Sequence, residues 1–234
     1  VSGILMADPR IVDDPEPIRR VTYSELRELS YIGAQVLHEG TIFPVREKNI
    51  PLNIRNTNAP DHPGTMILES IGDEMEEGGF ITGIAGKKGF TVVSIEKDMM
   101  NSEIGFGRKV LEVFEKQGLS FEHTPSGIDT MSIVIHQDEF VEKEQEVLAG
   151  LHRNVHPDAI EIESGLALIA VVGRGMKSSH GTAGKLFTAL ADANVNVKMI
   201  DQGSSELNII IGVRNRYFED AIKTIYDVFV PNNK

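Results

Sequence analysis

The sequence predicts a mixed α/β protein in which two similar βαββαβ units follow a shorter α/β segment. Two observations lead to this prediction. The sequence overlays on itself when it is shifted by 76 positions. Within each copy, apolar runs of strand length alternate with segments of helical periodicity. A chain of 234 residues is long enough for one large or two small domains with cores of their own.

The repeat pairs residues of the same type at many positions. The matched pairs are Met100 and Met176, Ser102 and Ser178, Gly105 and Gly181, Lys109 and Lys185, Gly127 and Gly203, Ile133 and Ile209, and Ile135 and Ile211. Chemically similar residues at a constant offset indicate two copies of one structural unit.

Each copy is predicted to have the order β-α-β-β-α, which begins a ferredoxin-like βαββαβ domain. The predicted strands are Thr91–Ile95, Met131–Ile135, Ala167–Val171 and Leu207–Ile211, and the predicted helices are Gly105–Gln117, Phe140–Leu151, Gly181–Ala193 and Phe218–Phe229. These helices place their apolar residues on one face, as core-facing helices do.

Strand counting predicts that the first unit is inserted in the second. The first unit has a final strand around Ala159–Glu163, whereas no strand follows Phe229 in the second. One strand, Phe80–Ala85, is left over before the first unit. The economical solution is that this strand completes the sheet of the second unit.

Proline and capping residues organise the segment before the repeat. Its first 20 residues contain three prolines and are predicted to be irregular. Thr22 and Glu25 form a capping box at the start of a helix whose apolar face continues to Leu37, and Gly40 is the predicted stop. A strand is predicted over Pro51–Asn56.

Composition excludes several classes of partner. The net charge of -12 gives no general attraction to nucleic acid or to an anionic membrane, so neither partner is expected. There is no cysteine, no apolar run of membrane-spanning length and no visible signal peptide, which favours a cytoplasmic location. The spacing of the histidines predicts no metal site.

Three N-terminal segments resemble the aspartate kinases. Val-Ser-Gly-Ile-Leu-Met-Ala-Asp-Pro-Arg-Ile-Val at 1–12 resembles their nucleotide-side loop, and residues 23–38 resemble the helix that follows. Residues 50–57 and 64–67 resemble the last kinase-domain strand and its exit. The repeat resembles the paired ACT domains of these enzymes, which sense small molecules. The implied boundaries are 1–68 for the C-terminal remnant of an amino-acid kinase domain, 69–79 for a linker, 80–87 with 165–234 for the second ACT domain, and 88–164 for the first.

The resemblance implies ATP-dependent phosphorylation of the aspartate β-carboxylate, with Mg²⁺, in a longer homodimeric protein. The positions it assigns to the nucleotide side are Asp8, Arg10 and Gln35, the last standing where many members have lysine. The N-terminal Lys-Phe-Gly-Gly-type motif of the family and its aspartate-binding residues are absent, so no catalytic residue is assigned and the chain by itself is expected to be inactive.

A feedback amino acid is expected to bind the first unit. Glu103, Glu122 and Asp129 stand where the second unit has Ser179, Lys198 and Ser205, so the first unit is the more acidic. Acidic groups suit a cationic ligand, which favours lysine, with threonine as the competing effector. The resemblance, together with the helix-start segment, assigns effector contacts to Met100, Asn101, Ser102, Glu103, Gly105, Phe106, Ser120, Phe121, Glu122 and Ser126.

Two alternatives stay open at this point. The second unit could be a dimer surface or a second, weaker site; its Gly-Lys at 184–185 lacks the glycine and the Ser or Thr of a phosphate-binding loop. The whole chain could also be a stand-alone amino-acid-binding module without a catalytic role.

Overall fold

The structure, a computed structural model, describes residues 2–33, 37, 39–71, 81–177 and 179–230. The chain divides into two compact units. The outer unit comprises 1–87 and 168–234, and the central unit comprises 88–167. The outer unit therefore contains both the predicted kinase remnant and the predicted second sensing domain.

The described residues form eight strands and seven α-helices, numbered in chain order. They are β1 (Arg20–Thr22), α1 (Tyr23–Tyr31), α2 (Glu39–Glu47), β2 (Leu52–Ile54), β3 (Thr65–Leu68), β4 (Gly83–Glu96), α3 (Phe106–Lys116), β5 (Thr130–His136), α4 (Gln137–Val141), α5 (Glu144–Val155), β6 (Ala159–Val172), α6 (Thr182–Asp192), β7 (Val197–Asp201), β8 (Asn208–Arg214) and α7 (Phe218–Phe229). Short 3-10 turns lie at Met100–Ser102, Arg174–Lys177 and Asn215–Tyr217.

In the central unit, helices α3, α4 and α5 contribute to a core shared with one sheet. Its strands have the order β5-β4-β6, and β4 and β5 are antiparallel. Helices α3 and α5 pack closely at Gly150, where an added Cβ would lie 2.6 Å from Cγ1 of Val113. The core contains Phe114, Phe140 and Leu151, all almost fully buried. Apolar burial of this kind supplies most of the stability of such a unit.

The outer unit has two sheets. A small sheet has the order β1-β3-β2, with β1 parallel and β2 antiparallel to β3. The other has the order β4-β6-β8-β7, in which β7 and β8 are antiparallel. In this sheet β4 lies beside β6.

Residues 2–33 make repeated contacts with strand β4 and helix α7 inside the outer unit. The amide of Ile84 donates to the Met6 carbonyl at 2.7 Å, and the amide of Glu16 donates to the Tyr226 hydroxyl at 2.8 Å. Helix α1 packs over Gly83, where an added Cβ would lie 3.3 Å from Leu29. The two predicted parts therefore share one compact body.

The first helix is shorter than its apolar pattern predicts. The capping box is confirmed, since Glu25 N donates to the Thr22 hydroxyl and the Glu25 carboxylate accepts from Thr22 N. The prediction that the helix continues to a stop at Gly40 is wrong, because α1 ends at Tyr31 and Gly40 lies in α2. Gly33 has φ +136°, which no helix adopts, and an added Cβ there would lie 2.7 Å from the Gly86 carbonyl oxygen.

Other predicted elements differ in length. Thr91–Ile95 belongs to a strand that already begins at Gly83, and the two predicted strands Ala159–Glu163 and Ala167–Val171 are one strand, β6. The helix predicted over Phe140–Leu151 is two helices, because Lys143 leaves helical geometry at φ -120° and donates to the Gln117 carbonyl. Phe80 lies outside the described residues.

Among the helices that the structure describes, none has the length and apolar character needed to cross a membrane. The cytoplasmic location stays a prediction.

Candidate effector site

The predicted effector segment is a tight turn between β4 and α3 in the central unit. Met99 has φ 62°, the Met100–Ser102 turn follows, and Gly105 with φ 82° begins α3. Nothing lies within 4 Å of a Cβ built on Gly105, so the backbone is open to a ligand there. The amide of Phe106, the first residue of α3, donates to the Glu103 carbonyl at 3.2 Å.

Glu103 is held by two lysines. Its Oε1 accepts from Nζ of Lys109 at 2.6 Å, and its Oε2 accepts from Nζ of Lys97. These hydrogen bonds, that of Lys109 first, lower the pKa of Glu103 to about 2. Lys97 also donates to the Val155 carbonyl at 2.6 Å. The carboxylate that the sequence offered to a ligand ammonium is thus already neutralised within the chain.

Glu122 has a partner as well. Its Oε1 lies 3.0 Å from Nε2 of His136, and its side chain is only 12% exposed. The ring of His136 in turn stacks against Phe90 with centroids 4.8 Å apart. The main chain of Glu122 donates to Val134 at 2.7 Å, which fixes this segment beside β5. Glu122 is therefore held against β5 by its main chain and paired with His136 by its side chain.

The other predicted contacts fall into two groups. Met100 and Phe106 are buried in the core of the central unit, so their side chains cannot line a ligand pocket in this conformation. Asn101 and Ser102 are exposed and hydrogen-bonded to each other, and Ser126 donates to the Thr124 carbonyl.

Ser120 and Phe121 line an open groove of about 1020 Å³ along α3. Phe121 is 45% exposed, which is unusual for a large apolar side chain. The remaining lining residues are Arg108, Leu111, Glu112, Phe114, Glu115, Gly118 and Leu119. The structure therefore brings two of the predicted residues together here, while Glu103, Gly105 and Phe106 do not line this groove.

The outer unit has a cavity of about 400 Å³ whose lining residues sequence reasoning did not assign, although it left a second, weaker site open in this repeat. It is lined by Met176, Ser179, His180, Gly181, Thr182, Ala183, Gln202, Glu206 and Ile209. Shifted by 76 positions, Met176, Ser179, Gly181, Thr182 and Gln202 match the predicted contacts Met100, Glu103, Gly105, Phe106 and Ser126. The second repeat thus has smaller side chains at two of these positions, a signal that the repeat comparison contained.

On the predicted nucleotide side, Asp8 and Arg10 form an ion pair with two parallel hydrogen bonds. Nη2 and Nε of Arg10 donate to the Asp8 carboxylate at 2.6 and 3.0 Å, and these bonds lower the pKa of Asp8. Asp8 also accepts from the amide of Arg10, so it shapes the turn. The Arg10 side chain is 86% exposed. Gln35 lies outside the described residues.

Glu25 is a fully buried carboxylate that joins helix α1 to the second repeat. Oε1 accepts from the Thr82 hydroxyl at 2.5 Å, from Arg174 N at 3.1 Å and from Arg174 Nη1 at 3.2 Å. Oε2 accepts from the amide and hydroxyl of Thr22. Burial would raise the pKa of Glu25, but the hydrogen bonds from Thr82, Thr22 and Arg174 outweigh it and lower the pKa.

Two protein families match parts of this chain. The amino acid kinase family matches residues 1–56 and the ACT domain matches residues 169–229. Aspartokinase 3 of Bacillus subtilis is 38% identical over 230 residues, which are 98% of this chain and 50% of that protein. Over nearly its whole length the chain is similar to aspartokinases.

Solved structures of aspartokinases share the fold. The crystal structure of Clostridium acetobutylicum aspartate kinase is 54% identical with a TM-score of 0.92, covering 98% of this chain and 52% of that one. Escherichia coli aspartokinase III in complex with lysine and aspartate has a TM-score of 0.77 at 22% identity, covering 98% and 50%. The chain spans about half the length of the aspartokinases it matches.

Proposed function

We propose that this chain is the regulatory part of an aspartate kinase, an enzyme that phosphorylates L-aspartate with ATP to give 4-phospho-L-aspartate. A feedback amino acid bound to the first repeat inhibits that reaction. The observation that carries the proposal is similarity along 98% of the chain to aspartokinases, including the Clostridium enzyme described as allosteric. Allostery needs two states with different affinities for the effector, and paired sensing domains supply a second site for it.

The proposed domains are a kinase remnant at 1–68, a linker at 69–79, a second ACT domain formed by 80–87 with 165–234, and a first ACT domain at 88–164. The strand order β4-β6-β8-β7 supports the split second domain, because β4 closes a sheet whose other strands come from the second repeat. The match of the ACT domain to 169–229 supports its C-terminal portion.

The proposed effector is lysine, with threonine as the competitor. The solved Escherichia coli relative holds lysine, which supports the choice. Glu103 and its two lysines offer both signs of charge to a zwitterionic amino acid. The ammonium of the ligand would replace the lysines at Glu103, and the released lysines would face the carboxylate of the ligand. The open backbone at Gly105 follows Glu103 in sequence, and the groove at Phe121 is a further surface proposed for the effector.

The kinase reaction is proposed for the longer protein, with ATP and Mg²⁺. Asp8, Arg10 and Gln35 are the proposed nucleotide-side residues, and Arg10 supplies a permanent positive charge. In the part of the chain that the structure describes, no group of three His, Asp or Glu side chains is placed to hold a metal ion, and no Mg²⁺ ligand is assigned. The chain by itself is proposed to be inactive and to form a homodimer through the ACT domains.

Calorimetric titration of the chain with L-lysine and with L-threonine tests the effector. Lysine is expected to give saturable heat that Glu122→Ala weakens, whereas Glu142→Ala, an exposed change in the same unit, leaves it unaltered. In the full-length enzyme Glu122→Ala should raise the lysine concentration needed for inhibition. Heat with threonine alone would replace lysine by threonine, and heat with neither would contradict the assignment of the site.

A further inference from the structure

We propose that the Glu25–Arg174 contact couples the loop at 173–177 of the second repeat to helix α1, and so is part of the route by which sensing reaches the kinase domain. The proposal rests on the proposed regulatory function. Its physical basis is separate, because it stands on contacts inside the outer unit.

Arg174 is fixed to Glu25 through both its main chain and its side chain. The Arg174 amide donates to Glu25 Oε1 at 3.1 Å, while Nη1 reaches both carboxylate oxygens at 3.2 and 3.3 Å. A shift of the backbone at 174 therefore has to change a bond to a carboxylate that has no exposure to solvent. Loss of a partner at such a group is costly, so the turn and the helix move together.

The turn that Arg174 begins ends at the cavity of the second repeat. Met176 is buried, lines the cavity of about 400 Å³, and donates its amide to the Gly173 carbonyl. Arg174 and Met176 lie in one 3-10 turn. A change in the occupancy or shape of this cavity that displaces the turn thus acts directly on the Arg174 amide.

At the other end, Glu25 also secures the start of α1. The same carboxylate accepts from the amide and the hydroxyl of Thr22, the N-cap residue. One turn later, Glu28 accepts from Asn208 Nδ2 at 2.6 Å, at the start of β8. Helix α1 is therefore attached at two successive turns to the two strand ends that flank the Gly173–Leu207 hydrogen bond.

The first repeat has no equivalent of this arrangement at the matching position. Asp98 stands where the second repeat has Arg174, and its amide donates to Asp158 within the central unit. The neighbouring Lys97 is likewise bonded to Glu103 and Val155 of that unit. The bond to Glu25 of α1 is thus a property of the second repeat. The two repeats therefore have different proposed roles: the first has the effector contacts, and the second is bonded to the kinase remnant.

Arg174→Gln in the full-length enzyme tests the coupling, with Arg216→Gln as the matched control. Arg216 also lies on a 3-10 turn of the outer unit, but it is exposed and donates only to Tyr217 among the bonds described for it. Arg174→Gln is expected to raise the half-inhibitory concentration of lysine or threonine about five-fold or more. Calorimetric affinity for the effector should change far less, and basal kcat should stay within about two-fold of the wild type. Arg216→Gln should behave as wild type.

Two further measurements separate coupling from simple damage. Glu25→Gln combined with Arg174→Gln should shift inhibition no more than either change alone, because both remove one contact. Hydrogen exchange should show faster exchange in both 173–177 and 23–31 of Arg174→Gln, without added effector, and Arg174→Lys should partly restore it. Unchanged exchange in 23–31 would overturn the coupling. Lack of inhibition of the wild type by any effector would instead refute the proposed function, and the exchange measurement would still test the coupling. Normal inhibition of Arg174→Gln also overturns it.

Discussion

The Nζ atom of Lys109, in the first turn of α3, lies 2.6 Å from Oε1 of Glu103, just before that helix. Lys97, the residue that follows β4, holds the other carboxylate oxygen. One carboxylate therefore ties the residue after the strand to the helix, across the turn proposed to bind an effector. Under the proposed effector binding, a ligand at this turn would replace these bonds with new ones.

The Glu103 bonds make stability depend on acidity. Because the pKa of Glu103 is lowered from 4.5 to about 2, its contribution is complete above the unfolded value and is lost as the pH falls from 4.5 towards 2. Urea unfolding of wild type and Glu103→Gln between pH 7 and pH 2 should show the two curves converging on the acid side. Parallel curves over that range would show that the lysines do not hold the carboxylate in solution.

Removal of the Glu25 carboxylate should destabilise the outer unit strongly. Glu25→Ala leaves the Thr82 hydroxyl, the Thr22 amide and Arg174 without their acceptor, for a loss of about 3 kcal/mol in the free energy of unfolding. Glu28→Ala, which removes only the bond from Asn208, should cost about 1 kcal/mol. Chemical denaturation measures both, and equal losses would contradict a special role for the buried group.

The two phenylalanines near the groove should have opposite effects. Phe114 is 1% exposed in the core, so Phe114→Ala should cost about 3–5 kcal/mol of stability. Phe121 is 45% exposed, so Phe121→Ala should change stability by no more than about 0.5 kcal/mol while it weakens effector binding. Thermal unfolding and calorimetry on the same samples test this pair. Intact binding by Phe121→Ala would remove the groove from the effector site.

Two glycines offer a test of the helix end that the sequence did not predict. Gly33→Ala should destabilise by about 1–3 kcal/mol, since a side chain is strained at φ +136° and meets the Gly86 carbonyl. Gly184→Ala lies in α6 with nothing within 4 Å of its Cβ, so it should stabilise by about 0.5–1 kcal/mol. Chemical denaturation measures the shift of the midpoint relative to the wild type. Shifts in the same direction for both variants would contradict the prediction.

The periodic elements were predictable from the sequence because local patterns specify them. Helix α7 runs over Phe218–Phe229 as predicted, and the capping box begins α1 at the predicted residue. The end of α1 was not predictable from periodicity, since the apolar spacing continues past Gly33 while the backbone turns away there. For a related reason, the sequence predicted two strands where the structure has one continuous strand. The glycine and lysine residues inside β4 are typical of a loop, but pairing with neighbouring strands keeps the backbone extended there.

The site was predicted in location more than in chemistry. The repeat comparison identified Glu103 as acidic, but it could not pair Glu103 with Lys97 and Lys109, which approach it from two elements. It also set Ser179 against Glu103 without showing that the smaller residue lies beside a cavity. Charge counting treats acidic residues as free, whereas the folded chain supplies its own counterions.

The division of the chain has a consequence for its synthesis. The central unit is a contiguous run of 80 residues, 88–167, so all of it is synthesised before residues 168–234. The sheet of the outer unit pairs β4 with strands that residues 168–234 complete, so it forms only after they are made. During the interval Gly83–Lys87 has a folded neighbour in sequence but no partner strand from the second repeat. An unpaired strand edge of this kind is prone to mispairing, so the order of translation exposes this stretch more than the finished protein does.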